Sequence, residues 1–263
     1  MRRDEEFAVG ESSRFEINVA SGSVRIANGD PGVARLSIDA SDADAVEISQ
    51  VGDVVSVRQQ TRWTLRGRPV HVALWIPLGS DVTVDSASAE IHLRGSFNAV
   101  RLRSASGDLD VDRVARLEAG TASGAVRLVE CTGSAVINSA SGDVVLGRVG
   151  GELGGTHASG DVQVEEVGGS IDVGTVSGDV TIRRCFGDDI AIKTVSGDVR
   201  IGLPAGVRVH PEITTLSGRT TLPSPAGSSA GSSTGSPVDS GSRREVRLRL
   251  RTVSGNIRID RVS

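Results

Sequence analysis

Thr175-Val176-Ser177-Gly178-Asp179-Val180-Thr181-Ile182 contains the rule by which this chain folds. Ser-Gly-Asp is a corner phrase, because glycine and aspartate tolerate the backbone conformations of a tight turn. Val-Thr-Ile follows at once, and its alternation of apolar and polar residues describes a strand with one buried face. The phrase returns along the chain with its second serine at 106, 123, 141, 159, 177, 196 and 217, so the gaps are 17, 18, 18, 18, 19 and 21 residues. A weaker copy, Ser86-Ala87-Ser88-Ala89, sits 18 residues before Ser106. A fixed period this short predicts a chain that coils and stacks on itself.

Within each repeat the apolar positions keep their offsets from the serine. Offsets 3 and 5 hold Leu109 and Val111, Val126 and Leu128, Val144 and Leu146, Val162 and Val164, Val199 and Ile201. Offset 8 holds Val114, Cys131, Val149, Val167 and Cys185. A second alternating run follows, as in Ile171-Asp172-Val173 and Ile190-Ala191-Ile192, after glycine-rich links such as Gly150-Gly151 and Gly168-Gly169. Each coil is therefore expected to carry two short strands of three to five residues and two corners. So small a unit cannot bury its own apolar face, but coils stacked at about 4.8 Å share a narrow continuous core. The expected fold is an all-β, single β-solenoid of about 18 residues per coil. A meander or sandwich would space its strands less regularly.

Composition narrows the function. Aromatic residues make up 2% of the chain and tyrosine is absent, which leaves little for a sugar-binding platform of exposed rings. The net charge of −4 gives no electrostatic footprint for nucleic acid. Residues 1–20 contain no apolar run of signal-peptide or membrane-span length, so a cytoplasmic location without a membrane span is expected. Cys131 and Cys185 share offset 8 three coils apart, roughly 14 Å on the stacking distance, and are expected to be free, buried thiols.

The chain divides into four parts. Residues 1–80 are strand-rich without the tight period and are expected to cap the solenoid. Residues 81–222 carry the regular repeats. Residues 223–243 are rich in Ser, Gly and Pro and read as a flexible loop, replaceable by a short turn. Residues 244–263 return to strict alternation and the phrase Thr252-Val253-Ser254-Gly255, a terminal strand and coil.

Candidate chemistry is sparse. Two Gly-x-Ser-x-Gly matches, Gly227–Gly231 and Gly231–Gly235, lie in the Ser/Gly/Pro stretch, where a nucleophile elbow would need a strand before and a helix after. Asp108, Asp143, Asp161, Asp179 and Asp198 share one offset and form a column. Calcium takes such columns, but calcium-binding nonapeptide solenoids carry a different phrase, and aspartate after glycine is a common turn former. His71, His92, His157 and His210 are isolated from one another, and His157 takes a slot otherwise held by Ser or Thr. No catalytic residue, metal ligand or cofactor is assigned. Departures from the repeat concentrate in residues 30–75, where Arg62, Trp63, Arg66 and Arg68, with Trp75 nearby, are the candidate partner-binding residues.

Thr175-Val-Ser-Gly-Asp-Val-Thr-Ile and Thr194-Val-Ser-Gly-Asp-Val-Arg-Ile, Phe15-Glu-Ile-Asn-Val-Ala-Ser-Gly-Ser-Val, and Ile76-Pro-Leu-Gly-Ser-Asp-Val-Thr-Val together carry a family likeness. Over about residues 10–263 the chain resembles the bacterial "putative adhesin" family of β-strand-repeat domains of unknown function. That resemblance implies a protein or cell-envelope partner and supplies no catalytic residues. The sequence thus points to a non-enzymatic scaffold or interaction surface. The competing reading is a carbohydrate-active β-helix enzyme, which would require opposed carboxylates in a cleft. Neither the partner nor the oligomeric state is specified.

Overall fold

The computed structural model describes residues 1–41, 46–60, 69–223 and 244–262. Among them every regular element is a strand. The chain opens with β1 (Arg2–Ala8), β2 (Arg14–Val19), β3 (Gly22–Asn28), β4 (Val33–Ala40), β5 (Val46–Val51), β6 (Val54–Gln59), β7 (Val70–Ile76) and β8 (Asp81–Ser86). It continues through β9 (Glu90–Ser104), β10 (Leu109–Thr121), β11 (Val126–Cys131), β12 (Ala135–Ser141), β13 (Val144–Val149), β14 (Leu153–Ser159), β15 (Val162–Val167) and β16 (Ile171–Ser177). Last come β17 (Val180–Cys185), β18 (Asp189–Ser196), β19 (Val199–Pro204), β20 (Arg208–Ser217), β21 (Thr220–Thr221), β22 (Glu245–Ser254) and β23 (Ile257–Val262).

Like offsets stack on like, as the period requires. Val126, Val144, Val162, Val180, Val199 and Ile257 form one column in unbroken parallel register. Across the core, Leu117, Ala135, Leu153, Ile171, Ile190 and Leu248 form another. Both columns are buried, each residue at 3% exposure or less. A fully buried Val, Leu or Ile contributes about 1.5–3 kcal/mol. The chain is thus the β-solenoid its repeat predicts, with two strands per coil. Those strands are longer than expected: β11 and β12 have six and seven residues. Regular pairing continues past the apolar core into the corners, and β9 and β10 run through a corner to serve both faces.

The corners explain the glycines. Gly178 has φ +124°, and a Cβ there would lie 2.1 Å from the Gly160 carbonyl oxygen of the coil below. Cys131 and Cys185 are free, buried and joined in one column through Val149 and Val167. Burial raises both thiols, Cys185 to about 11.

Strand order departs from chain order at both ends. Coil β2–β3 lies between β6–β7 on one side and β8–β9 on the other. Coil β22–β23 lies between β18–β19 and β20–β21. The last coil in sequence is therefore the penultimate layer in space. At the amino-terminal end, β5 pairs with β6, and β1 and β4 extend the face beyond β7, all antiparallel.

Candidate functional site

Arg62, Trp63, Arg66 and Arg68 lie outside the described residues, as do the two Gly-x-Ser-x-Gly matches and residues 224–243 of the expected loop. Trp75 is described. It sits on β7, 41% exposed and in register with Arg35, whose guanidinium pairs with Glu6 at 3.2 Å and Asp30 at 2.9 Å. Those two carboxylates hold Arg35 above its ordinary pKa.

The aspartate column is occupied by structure. Asp143 Oδ1 accepts the Asp161 N–H at 3.1 Å, Asp161 that of Asp179 at 2.9 Å, and Asp179 that of Asp198 at 2.8 Å. Asp198 accepts from Asn256 at 2.8 Å, and Asn256 from Arg219 at 3.1 Å. Each carboxylate thus joins its own corner to the next coil, rather than bonding its local turn. No group of three or more potential metal ligands occurs among the described residues.

The Ser/Thr slot behaves differently along the molecule. Ser86, Ser104 and Thr121 accept N–H bonds from Ala89, Gly107 and Gly124 at 2.7–2.9 Å. From Gly142 onward the glycine N–H turns to a neighbouring coil, as in Gly142 to the Ser159 carbonyl at 3.3 Å. The side chains of Ser139, His157, Thr194 and Thr252 are then buried, and Ser139 Oγ, His157 Nδ1 and both threonine Oγ1 atoms have no partner among the described residues. Burial holds His157 below the usual imidazole pKa.

Two grooves mark the regular coils. The larger, about 870 Å³, crosses β10, β11, β13, β15 and β17 on the face opposite the Ser/Thr slot. Gly147 and the exposed Val129 and Val145 lie on it, between Asp110, Arg127 and Arg94 and the Glu165–Arg183 pair. Its carboxylates are engaged: Asp110 with His92 at 3.1 Å and Arg127 at 3.7 Å, Glu165 with Arg183 at 3.3 Å. Asp110 and Gln163 are three coils apart in one column, and Glu165 lies beside Gln163. The two carboxylates are therefore roughly 14 Å apart, beyond the ~5–9.5 Å that glycoside hydrolysis uses.

The second groove, about 530 Å³, lies on the outer face of β14, β16, β18, β22 and β20. One wall is an exposed aliphatic ridge, Val176, Val195, Val253 and Leu216, each directly above the last. The other carries Lys193 and Arg251. Sequence reasoning missed this site. Its signal was the residue before each repeat serine, which changes from alanine at 105, 122, 140 and 158 to valine at 176, 195 and 253 and leucine at 216.

A family model described as Toastrack DUF4097 matches residues 12–260. Among solved structures, one called a "putative lipid binding protein" from Parabacteroides distasonis aligns over 100% of this chain and 97% of its own, with 10% identity and a TM-score of 0.53. A "putative adhesin" from Bacteroides fragilis aligns over 98% and 97%, with 10% identity and a TM-score of 0.47. Another from Parabacteroides distasonis covers the same shares, with 9% identity and a TM-score of 0.40. The first likeness shows a shared fold. No curated protein matches the sequence.

Proposed function

Because the chain belongs to the Toastrack DUF4097 family, we propose that it is a non-enzymatic β-solenoid scaffold whose outer surface holds a protein or cell-envelope partner. One observation carries this reading: the carboxylates of the aspartate column and of the larger groove are committed to holding coil to coil. The aspartate column bonds the next layer's amides, and Glu165 and Glu166 pair with Arg183 and Arg148 across layers. Catalysis needs a few unlike groups converging on one reacting atom. The carbohydrate-active alternative has no such pair in the larger groove. No helix among the described residues is long and apolar enough to cross a membrane.

The partner-binding residues proposed are Arg62, Trp63, Arg66 and Arg68, where three arginines flank a tryptophan within seven residues. The test immobilises the protein against envelope fractions of its native organism and, separately, incubates it with a polysaccharide panel. Saturable retention, weakened by Arg62→Ala with Arg66→Ala at an unchanged melting temperature, is expected. Unchanged retention would remove this cluster, and depolymerisation of any polysaccharide would overturn the non-enzymatic reading.

A further inference from the structure

We propose that the groove beside the Val176–Val195–Val253–Leu216 ridge binds a single-chain anionic amphiphile, a monomeric fatty-acid-like carboxylate. The proposal rests on the reading above that the outer faces bind rather than react, and it gives one face its ligand class.

The ridge is unusual for a solvent-facing column. Val176, Val195, Val253 and Leu216 are 52%, 49%, 48% and 85% exposed, and they are contiguous through β16, β18, β22 and β20. Three layer spacings make it roughly 14 Å long. An extended hydrocarbon advancing roughly 1.25 Å per carbon, from C–C bonds of about 1.5 Å, covers that length with about eleven carbons. Four stacked aliphatic side chains of this kind form a patch, whereas isolated surface valines need no explanation.

Charge selects the head group. Lys193 and Arg251 line the groove, and no carboxylate does. Arg251 reaches Glu212 at 3.7 Å, while Lys193, the chain's single lysine, has no ion-pair partner among the described residues. Lys193 stands one layer from the Val176 end of the ridge, and its flexible stem can carry the ammonium to an anion placed there.

The groove's chemistry also selects against other occupants. It runs along the solenoid axis, across β14, β16, β18 and β22, each paired with a strand on both sides. A peptide laid in it would bury N–H and C=O groups with few partners, and each such loss is costly. A sugar would meet aliphatic side chains instead of aromatic faces or a hydrogen-bonding floor. An acyl chain has no polar group to satisfy. A bilayer surface fits less well, because Asp172 and Glu212 are exposed on the same face.

The test titrates the whole chain calorimetrically with dodecanoate below its micellar concentration. Dodecyltrimethylammonium serves as the charge-reversed probe, and co-sedimentation uses vesicles of equimolar phosphatidylcholine and phosphatidylglycerol. Saturable binding of about one dodecanoate is expected, with no binding of the cationic probe and no co-sedimentation. Lys193→Glu and, separately, Val253→Asp should each weaken binding roughly fivefold or more at unchanged melting temperature. Both positions are exposed, so the variants should fold. Absent dodecanoate binding, equal binding of the cationic probe, or indifference to both substitutions would overturn the proposal and leave the scaffold reading standing. Co-sedimentation without monomer binding would assign the face to a membrane surface and overturn it equally.

Discussion

Asp179 shows how a single residue serves two coils. Its backbone N–H donates to Asp161 below, and its carboxylate accepts the Asp198 N–H above at 2.8 Å. Removing the acceptor orphans that amide, which costs about 1–2 kcal/mol for a charge-assisted bond at a partly exposed corner. Asp179→Ala is expected to lose about that much in urea unfolding, and Asp179→Asn, which keeps an acceptor, less than half of it. Equal losses would show that the charge matters rather than the bond. His157 has the opposite character, a buried imidazole held neutral. Its folded pKa lies below the unfolded value of about 6.5. As pH falls through that unfolded value, the unfolded chain takes up a proton that the folded chain refuses, and stability is lost. The loss continues until the lower folded pKa is reached. His157→Thr restores the residue type of the slot and should remove this component. Urea midpoints at pH 7.5 and 5.5 should therefore fall further for the wild type than for the variant.

At the scale of elements, β20 is an edge strand. Among the described residues it pairs only with β22, through the amides of Arg208 and alternate residues after it. Val209, Pro211, Ile213 and Thr215 point their backbone groups the other way. Proline has no N–H, and Pro211 removes one donor from this free side, a blunting device common at sheet edges. Hydrogen exchange should find Val209, Ile213 and Thr215 exchanging far faster than His210, Glu212 and Thr214. Uniform protection would mean that another strand covers the edge. The Ser/Thr slot changes its role along the solenoid. The hydroxyl caps its own turn at Ser104 and Thr121, but the corners from Gly142 onward adopt left-handed glycines and bond between coils instead. Ser104 and Ser139 open the same phrase, Ser-Ala-Ser-Gly-Asp, so the local sequence does not distinguish these two corners; the neighbouring layers do.

The whole molecule is held by coils inserted out of order. β22–β23 contributes Val246, Leu248, Leu250, Ile257 and Ile259 to the core, all at 2% exposure or less. It also supplies the pairing partner of β20–β21. A chain ending at Arg243 should therefore keep its earlier coils, since each coil depends mainly on its neighbours. It should release residues 208–221, which precede the cut. Limited trypsinolysis at Arg208 and Arg219 is expected to be much faster in the truncated protein than in the full chain. Equal rates would contradict the inserted position.

The repeat by itself determined the solenoid, its 18-residue coil, the inward columns and the free thiols. These follow from period and alternation, which are properties of neighbouring residues. Offset 8 was enough to place Cys131 and Cys185 in one column three layers apart. Only the tertiary structure decided the order of layers at the two ends. Thr252-Val-Ser-Gly matches the phrase of either neighbour, and nothing local says between which coils it lies. The aspartates' bonding partners were likewise hidden, because the amide each one accepts is a full coil away. So was the aliphatic ridge, although its valines and leucine each stand directly before a repeat serine. An outward valine looks the same as its neighbours until stacking sets four of them in one line.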